Sequence, residues 1–208
     1  MSKVLGEKIR DQAVLHWVAD KGDATLSVIH DGLDQNSLVV DLGGYKGEWA
    51  QKIFDQYGCS IEIYEPAPEF AQEARKRFEN DLNSKITVVE CAIGSSDDRA
   101  NLIMDGLATS IQKSELGQTQ VLAVENILLN RKVDLLKMNI EGAEYEVFES
   151  LFICNAILNI NRIFVQFHPI DDMSLNNYNL IVDRLSKTHD CVFRYPFIWE
   201  KWNLKINK

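Results

Sequence analysis

The sequence predicts a three-layer α/β fold: a mostly parallel central sheet, helices on both faces and an N-terminal helical cap. Three observations carry this expectation. Short apolar runs alternate with segments of helical periodicity along most of the chain, as when crossover helices cover both faces of a parallel sheet. The first such run, Leu38-Val39-Val40-Asp41-Leu42, ends in an acid and the glycine-rich turn Gly43-Gly44-Tyr45-Lys46-Gly47. A second run, Ile61-Glu62-Ile63-Tyr64, ends in Glu65-Pro66, eighteen residues after Gly47. Run, glycine turn, helix, run and acid make the layout of a nucleotide-binding βαβ unit.

Each element follows in order. Val4 to Asp20 has Leu5, Ile9, Ala13 and Trp17 at helical spacing, and a second short helix is expected over Ala24–Gly32. Residues 1–36 then form the cap, packed on a domain spanning 37–208. Strands are expected at Leu38–Leu42 and Ser60–Tyr64, separated by a helix over Gly47–Tyr57. Pro68 suits the first position of a helix running to about Leu82, because the amide that proline lacks has no helical partner there. A strand at Ile86–Ala92, a turn at Gly94–Asp98 and a short strand at Ala100–Met104 lead into Asp105–Gln118, which reads as loop. Beyond it come a strand (Thr119–Val124), a short helix (Glu125–Asn130), a buried strand (Val133–Met138) and a helix (Gly142–Leu151). The chain closes with a strand (Ile160–Phe167), a helix capped by Ser174 and ending near Lys187, and a strand (Cys191–Tyr195) at the end of the sheet.

Bulk properties narrow the function classes. A chain of 208 residues with 46% hydrophobic and 25% charged residues has the composition of an ordinary globular domain. No apolar stretch approaches the ~20 residues that span a bilayer, and the start lacks the apolar segment of a signal peptide, so a cytoplasmic location is expected. Cys59, Cys91, Cys154 and Cys191 show no C-x-x-C spacing and read as free thiols. The net charge of −9 argues against nucleic acid as a partner, and Arg75-Lys76-Arg77 reads as a solvated helix face.

The glycine turn reads D-x-G-G-x-x-G, not the dinucleotide G-x-G-x-x-G. An acid two residues before the first glycine suits a ligand with a positive charge and no pyrophosphate, which points to S-adenosylmethionine. Gly43, Gly44 and Gly47 allow close backbone approach to such a ligand, with Tyr45 beside it. Asp41 is expected to accept from backbone amides or water near the ligand's ammonium group, and Glu65 from both ribose hydroxyls. Pro66, Cys91 and Ala92 are expected at the tips of the second and third strands, with Ala92 framing the adenine.

A second cluster is Val133-Asp134-Leu135-Leu136-Lys137-Met138-Asn139-Ile140-Glu141-Gly142-Ala143-Glu144-Tyr145-Glu146-Val147. With D-x-G-G-x-x-G, Tyr64-Glu65-Pro66-Ala67-Pro68 and Gln166-Phe167-His168-Pro169, it resembles the FkbM-type family of S-adenosylmethionine-dependent methyltransferases over about Leu38–His168. The resemblance implies a Rossmann-like class I methyltransferase fold. It also implies methyl transfer, usually to a hydroxyl of a sugar or other small metabolite; a nucleotide-linked sugar is one such acceptor. Two positions depart from the family pattern: Asn139 and Gln166 stand where it has acids. Hard divalent cations want charged oxygen ligands, so no metal is expected.

For chemistry, His168 is the candidate general base, since an ordinary imidazole titrates near neutrality; a structural histidine before Pro169 is the competing reading. Glu141 is the fallback base, although Glu141 and Glu144 also suit a helix N-terminus. Asn139 is a candidate for both cofactor binding and catalysis. Thr109-Ser110 could reach acceptor or cofactor, Tyr45 and Trp49 could flank the cofactor, and the aromatic tail (Tyr195, Phe197, Trp199, Trp202) could cover the cleft or form a homodimer contact. N-methylation, cofactor binding without turnover and nicotinamide chemistry remain as alternatives.

Overall fold

The computed structural model describes residues 5–81, 85–105 and 108–206, with only the backbone at Met104, Asp105, Ala108, Thr109 and Lys113. Helix α1 (Leu5–Ala19) precedes β1 (Leu38–Leu42), α2 (Glu48–Tyr57), β2 (Ser60–Tyr64), α3 (Pro68–Arg77) and β3 (Ile86–Val89). Strands β4 (Ala92–Gly94), β5 (Asp98–Asp105), β6 (Ala108–Lys113) and β7 (Thr119–Ala123) follow, then α4 (Val124–Leu128), β8 (Leu135–Met138) and α5 (Glu144–Ile153). The chain continues through β9 (Arg162–Val165), α6 (Ser174–Thr188), β10 (His189–Tyr195) and β11 (Trp199–Leu204).

Seven strands form the main sheet in the order β10-β11-β9-β8-β1-β2-β3, parallel except for β11. Alternation along the strands feeds two cores. Val39, Ile61, Ile63, Leu135 and Phe164 pack toward α1 and α2, where Trp17, Ala50 and Ile53 are buried. Val40, Leu42, Leu136, Met138 and Val165 pack toward α4, α5 and α6 on the opposite face. The chain runs outward from β1 to β2 on one side and reaches β8 on the other, so the crevice at the tips of β1 and β8 is a topological switch point.

Several expectations are corrected. Ala24–Gly32 is not a helix: overlapping turns cover it, with Ser27 N–H bonding Gly22 O and Thr25 Oγ1 bonding Lys21 O. A hydroxyl that competes for backbone carbonyls undermines a helix of this length. The strand expected at Ile86–Ala92 breaks at a tight turn, Cys91 N–H to Val89 O at 3.2 Å, and its end joins a second sheet ordered β4-β7-β5-β6. The expected loop Asp105–Gln118 contains β6, antiparallel to β5. Ser174 opens α6, but its hydroxyl accepts from Ile170 and Asp171 N–H, tying the preceding turn instead of capping the helix. The aromatic tail is not a cover: β11 lies inside the sheet between β9 and β10, Trp202 is buried and Trp199 stacks on Phe164 at 4.1 Å. Cys191 is an exposed free thiol, whereas Cys59 and Cys91 are buried. The expected ends at Val4 and Leu82 lie outside the described residues.

Candidate active site

The first wall of the site is the turn after β1. Gly43 and Gly44 N–H both donate to Tyr64 O, at 2.9 and 3.3 Å, tying the turn to the tip of β2. Gly43 has φ 76°, and a Cβ there would lie 1.9 Å from Asn139 O, so only glycine lets the tips of β1 and β8 meet. Tyr45 adopts φ 50° despite its side chain. Its N–H donates to Glu65 Oε2 at 2.8 Å, while Glu65 Oε1 accepts from Ala67 N–H at 3.0 Å. The Tyr45 ring then meets Phe70 edge-on at 4.4 Å.

Two acids serve this turn in different ways. Asp41 and Lys137 are register partners on β1 and β8, and Lys137 Nζ lies 2.7 Å from Asp41 Oδ1. The same ammonium donates to Gly43 O at 2.5 Å. Asp41 is fully buried and Oδ2 has no hydrogen-bond partner; burial raises its carboxyl pKa, and Lys137 opposes that rise. Glu65 is also buried, which raises its pKa against the pull of the Ala67 and Tyr45 amides and of Lys137.

A cleft of about 310 Å³ opens at these tips. Of the residues singled out in the sequence, Gly43, Tyr45, Glu65, Pro66, Cys91, Ala92, Asn139 and Glu141 line it. Asp41, Gly44, Gly47 and His168 are not among its lining residues. Asp41 points with Lys137 toward the α2 face beneath the turn, so it acts on the backbone of Gly43 through Lys137 and accepts no backbone amide. Gly44 packs against Ile63, and Gly47 faces Phe78 of the neighbouring segment. Trp49 belongs to the core: it stacks on Phe164 and donates to Ser27 O at 2.7 Å. Sequence reading missed the apolar lining from Tyr64, Phe70, Ile93 and Ile111. Phe70, one helical turn beyond Glu65-Pro66, carried a usable signal; Ile111, on a strand read as loop, carried none. Ser110 precedes Ile111 on β6, and the Thr109 side chain is outside the described residues.

The second wall is the turn between β8 and α5. Asn139 N–H donates to Leu42 O at 3.0 Å, while its buried Oδ1 has no hydrogen-bond partner. Glu141 (φ 53°) and Gly142 (φ 107°) give the turn its left-handed path. Glu144, fully buried, accepts from Ile140 N–H through Oε1 and Gly142 N–H through Oε2, both at 2.9 Å. His168 stands behind it, with Nδ1 2.8 Å from Glu144 Oε1 and Nε2 3.3 Å from Glu141 Oε2. Burial alone would lower the His168 pKa, but hydrogen bonds to Glu141 and Glu144, and their charges, raise it to about 10. The two carboxylates thus favour the protonated ring, opposing the effect of burial.

The sequence matches the methyltransferase FkbM domain over residues 41–195. The chain belongs to the FkbM methyltransferase family. This methyltransferase also shares its fold with a solved structure described as a "putative rRNA-methylase" from Clostridium thermocellum. That likeness has 10% identity and a TM-score of 0.55, covering 92% of this chain and 97% of that one. A weaker likeness, 11% identical with a TM-score of 0.49, is to the S-adenosylhomocysteine-bound Podospora anserina methyltransferase PaMTH1, covering 82% of this chain and 72% of that one. A search of curated proteins gave no match.

The FkbM methyltransferase uses S-adenosylmethionine, and its cleft fits that molecule. A sulfonium cofactor offers an ammonium and two ribose hydroxyls as donors; the cleft offers the Glu65 carboxylate and the unpartnered Asn139 Oδ1 as acceptors. No Lys or Arg lines the cleft among the described residues, which suits a cation and gives a pyrophosphate nothing to pair with. No described helix is long and apolar enough to cross a membrane. Arg75 and Arg77 pair with Glu90 and Glu48 at 3.0 and 3.7 Å. The acidic charge alone does not, however, exclude nucleic acid as acceptor, since a protein of this fold is described as a "putative rRNA-methylase".

Proposed function

We propose that this FkbM methyltransferase methylates a hydroxyl of a sugar, glycan precursor or other small polar metabolite. The observation that carries the reading is that the Glu141 carboxylate lines the same cleft as Glu65, with no Lys or Arg lining it among the described residues. When bound, S-adenosylmethionine supplies a methyl group already activated on sulfur. The protein's tasks are to hold the acceptor in line and to receive its proton. Glu65 accepts from the ribose hydroxyls, Asn139 and the Gly43–Tyr45 backbone hold the cofactor, and Glu141 accepts the acceptor's O–H. The bound cofactor would supply its methyl group to the acceptor oxygen and leave as the thioether, while the acceptor's proton would pass to Glu141 or to water beside it. Hydrogen bonding to His168 lowers the Glu141 pKa, making it a weak base. A weak base suffices, because a hydroxyl oxygen becomes strongly acidic once it carries the incoming methyl group.

The test is calorimetry with S-adenosylhomocysteine, followed by methyl transfer from labelled S-adenosylmethionine to free sugars, nucleotide sugars and RNA. Saturable binding with labelled methyl ethers on a sugar supports the proposal. Transfer to RNA alone would overturn the acceptor class, and binding without transfer to any acceptor would favour a cofactor-binding protein, the outcome that the amides Asn139 and Gln166 make worth testing.

A further inference from the structure

Glu144 is buried and each of its oxygens accepts a backbone N–H, from Ile140 and from Gly142. Both of its oxygens are thus engaged as acceptors. Glu141 offers a second carboxylate to the same imidazole. A neutral histidine carries one ring N–H and can donate to only one of two such neighbours; donating to both requires protons on both nitrogens. A ring so protonated has no lone pair with which to take a proton from an acceptor. Its backbone is fixed as well, since Tyr145 hydroxyl donates to His168 O at 2.7 Å. The charged groups that face this assembly are Glu144 from α5, Glu141 from the turn, and Lys137 from β8, which acts on Glu141 at longer range.

We propose that His168 is a positioning residue: bridging Glu144 and Glu141, it locks the Glu141 carboxylate against the cleft wall, where that carboxylate selects an uncharged hydroxyl-bearing acceptor. The left-handed turn supports the arrangement. Glu141 adopts φ 53° with its neighbours' amides bonded to Glu144, and a Cβ on Gly142 would meet Ile170 Cγ2 at 2.9 Å. The Glu141 carboxylate so held on the cleft wall disfavours anionic acceptors at that spot. The acceptor half of the inference rests on the O-methyl-transfer reading; the bridge does not.

The test uses ¹⁵N–¹H correlation spectra of the imidazole rings in the full chain, with His168→Gln assigning the signal. In wild type both His168 nitrogens are expected to stay protonated between about pH 6 and 8.5, and Glu141→Gln is expected to move the titration down toward the ordinary range. Crystals of the His168→Gln complex with S-adenosylhomocysteine are expected to show Glu141 turned away from the wall. A wild-type ring titrating near its ordinary value of about 6.5 would overturn the proposal, as would an unmoved Glu141 in the variant. If His168→Gln does not fold, the wild-type and Glu141→Gln titrations decide alone. Lack of S-adenosylhomocysteine binding would sink the methyl-transfer reading, while spectra recorded without ligand still judge the bridge.

Discussion

The two turns that bound the cleft use the same device with different wiring. After β1, the buried Glu65 holds the N–H groups of Tyr45 and Ala67; after β8, the buried Glu144 holds those of Ile140 and Gly142. In each case one carboxylate ties down a turn that contains left-handed residues. The difference lies in what else the carboxylate meets. Glu65 reaches in from the next strand and lines the cleft. Glu144 belongs to its own turn, does not line the cleft, and shares a histidine with Glu141. The first acid has lone pairs left for a ligand, whereas the second is fully engaged in setting a neighbour. Similar backbone work therefore leaves one acid free to bind and makes the other scaffolding.

The most severe way to break this comparison is Gly43→Ala. A methyl group 1.9 Å from Asn139 O, on a residue with φ 76°, forces the two turns apart. The expected loss is about 3 kcal/mol or more of stability, read by urea unfolding, with cofactor binding abolished in whatever protein folds. An unchanged midpoint would mean the turns do not depend on each other.

The His168 bridge gives a pH signature. A histidine whose folded pKa is about 10, against 6.5 unfolded, contributes stability that is fully present below pH 6.5 and is lost as pH rises through 10. His168→Gln is therefore expected to cost on the order of 3 kcal/mol at pH 6 and little near pH 10. Unfolding curves of the two proteins at both values check this; a pH-independent gap would contradict it.

Glu65→Ala sharpens the other side of the contrast. It is expected to weaken S-adenosylhomocysteine binding by roughly 1.5–3 kcal/mol, a loss that calorimetry measures directly. Glu65→Gln, which keeps one acceptor oxygen, should fall between the variant and wild type. The smallest expected effect is none: EDTA should leave methyl transfer unchanged, and activity that EDTA abolishes and magnesium restores would require a metal this reading lacks.

The sequence made the first turn legible almost to the residue, because its signals are local. Asp41-Leu42-Gly43-Gly44 and Tyr64-Glu65-Pro66 mark two strand ends, and β1 and β2 have the expected bounds. The second turn was found by its motif, but its chemistry was not. Nothing in Glu144-Tyr145-Glu146 says which carboxylate turns inward, and the approach of His168, 24 residues away, is a tertiary fact. Asp41 was misread for a related reason: its partner Lys137 is a neighbour only through the register of β1 with β8. The β5–β6 hairpin escaped because Ala108–Lys113 is short and mostly polar, so its pairing with β5, not its periodicity, makes it a strand.

β11 carries a consequence for how the molecule assembles. Its six residues come last in the sheet's order of synthesis, yet they occupy a slot between β9 and β10. A nascent chain emerging from the ribosome can build β1 through β9, but β10 has no place to dock until Trp199–Leu204 arrives. Before then the edge of β9 stands unpaired, with Phe164 lacking the indole that stacks on it. A stop codon that removes β11 would thus leave an open, apolar sheet margin prone to clumping, and not merely a shorter enzyme.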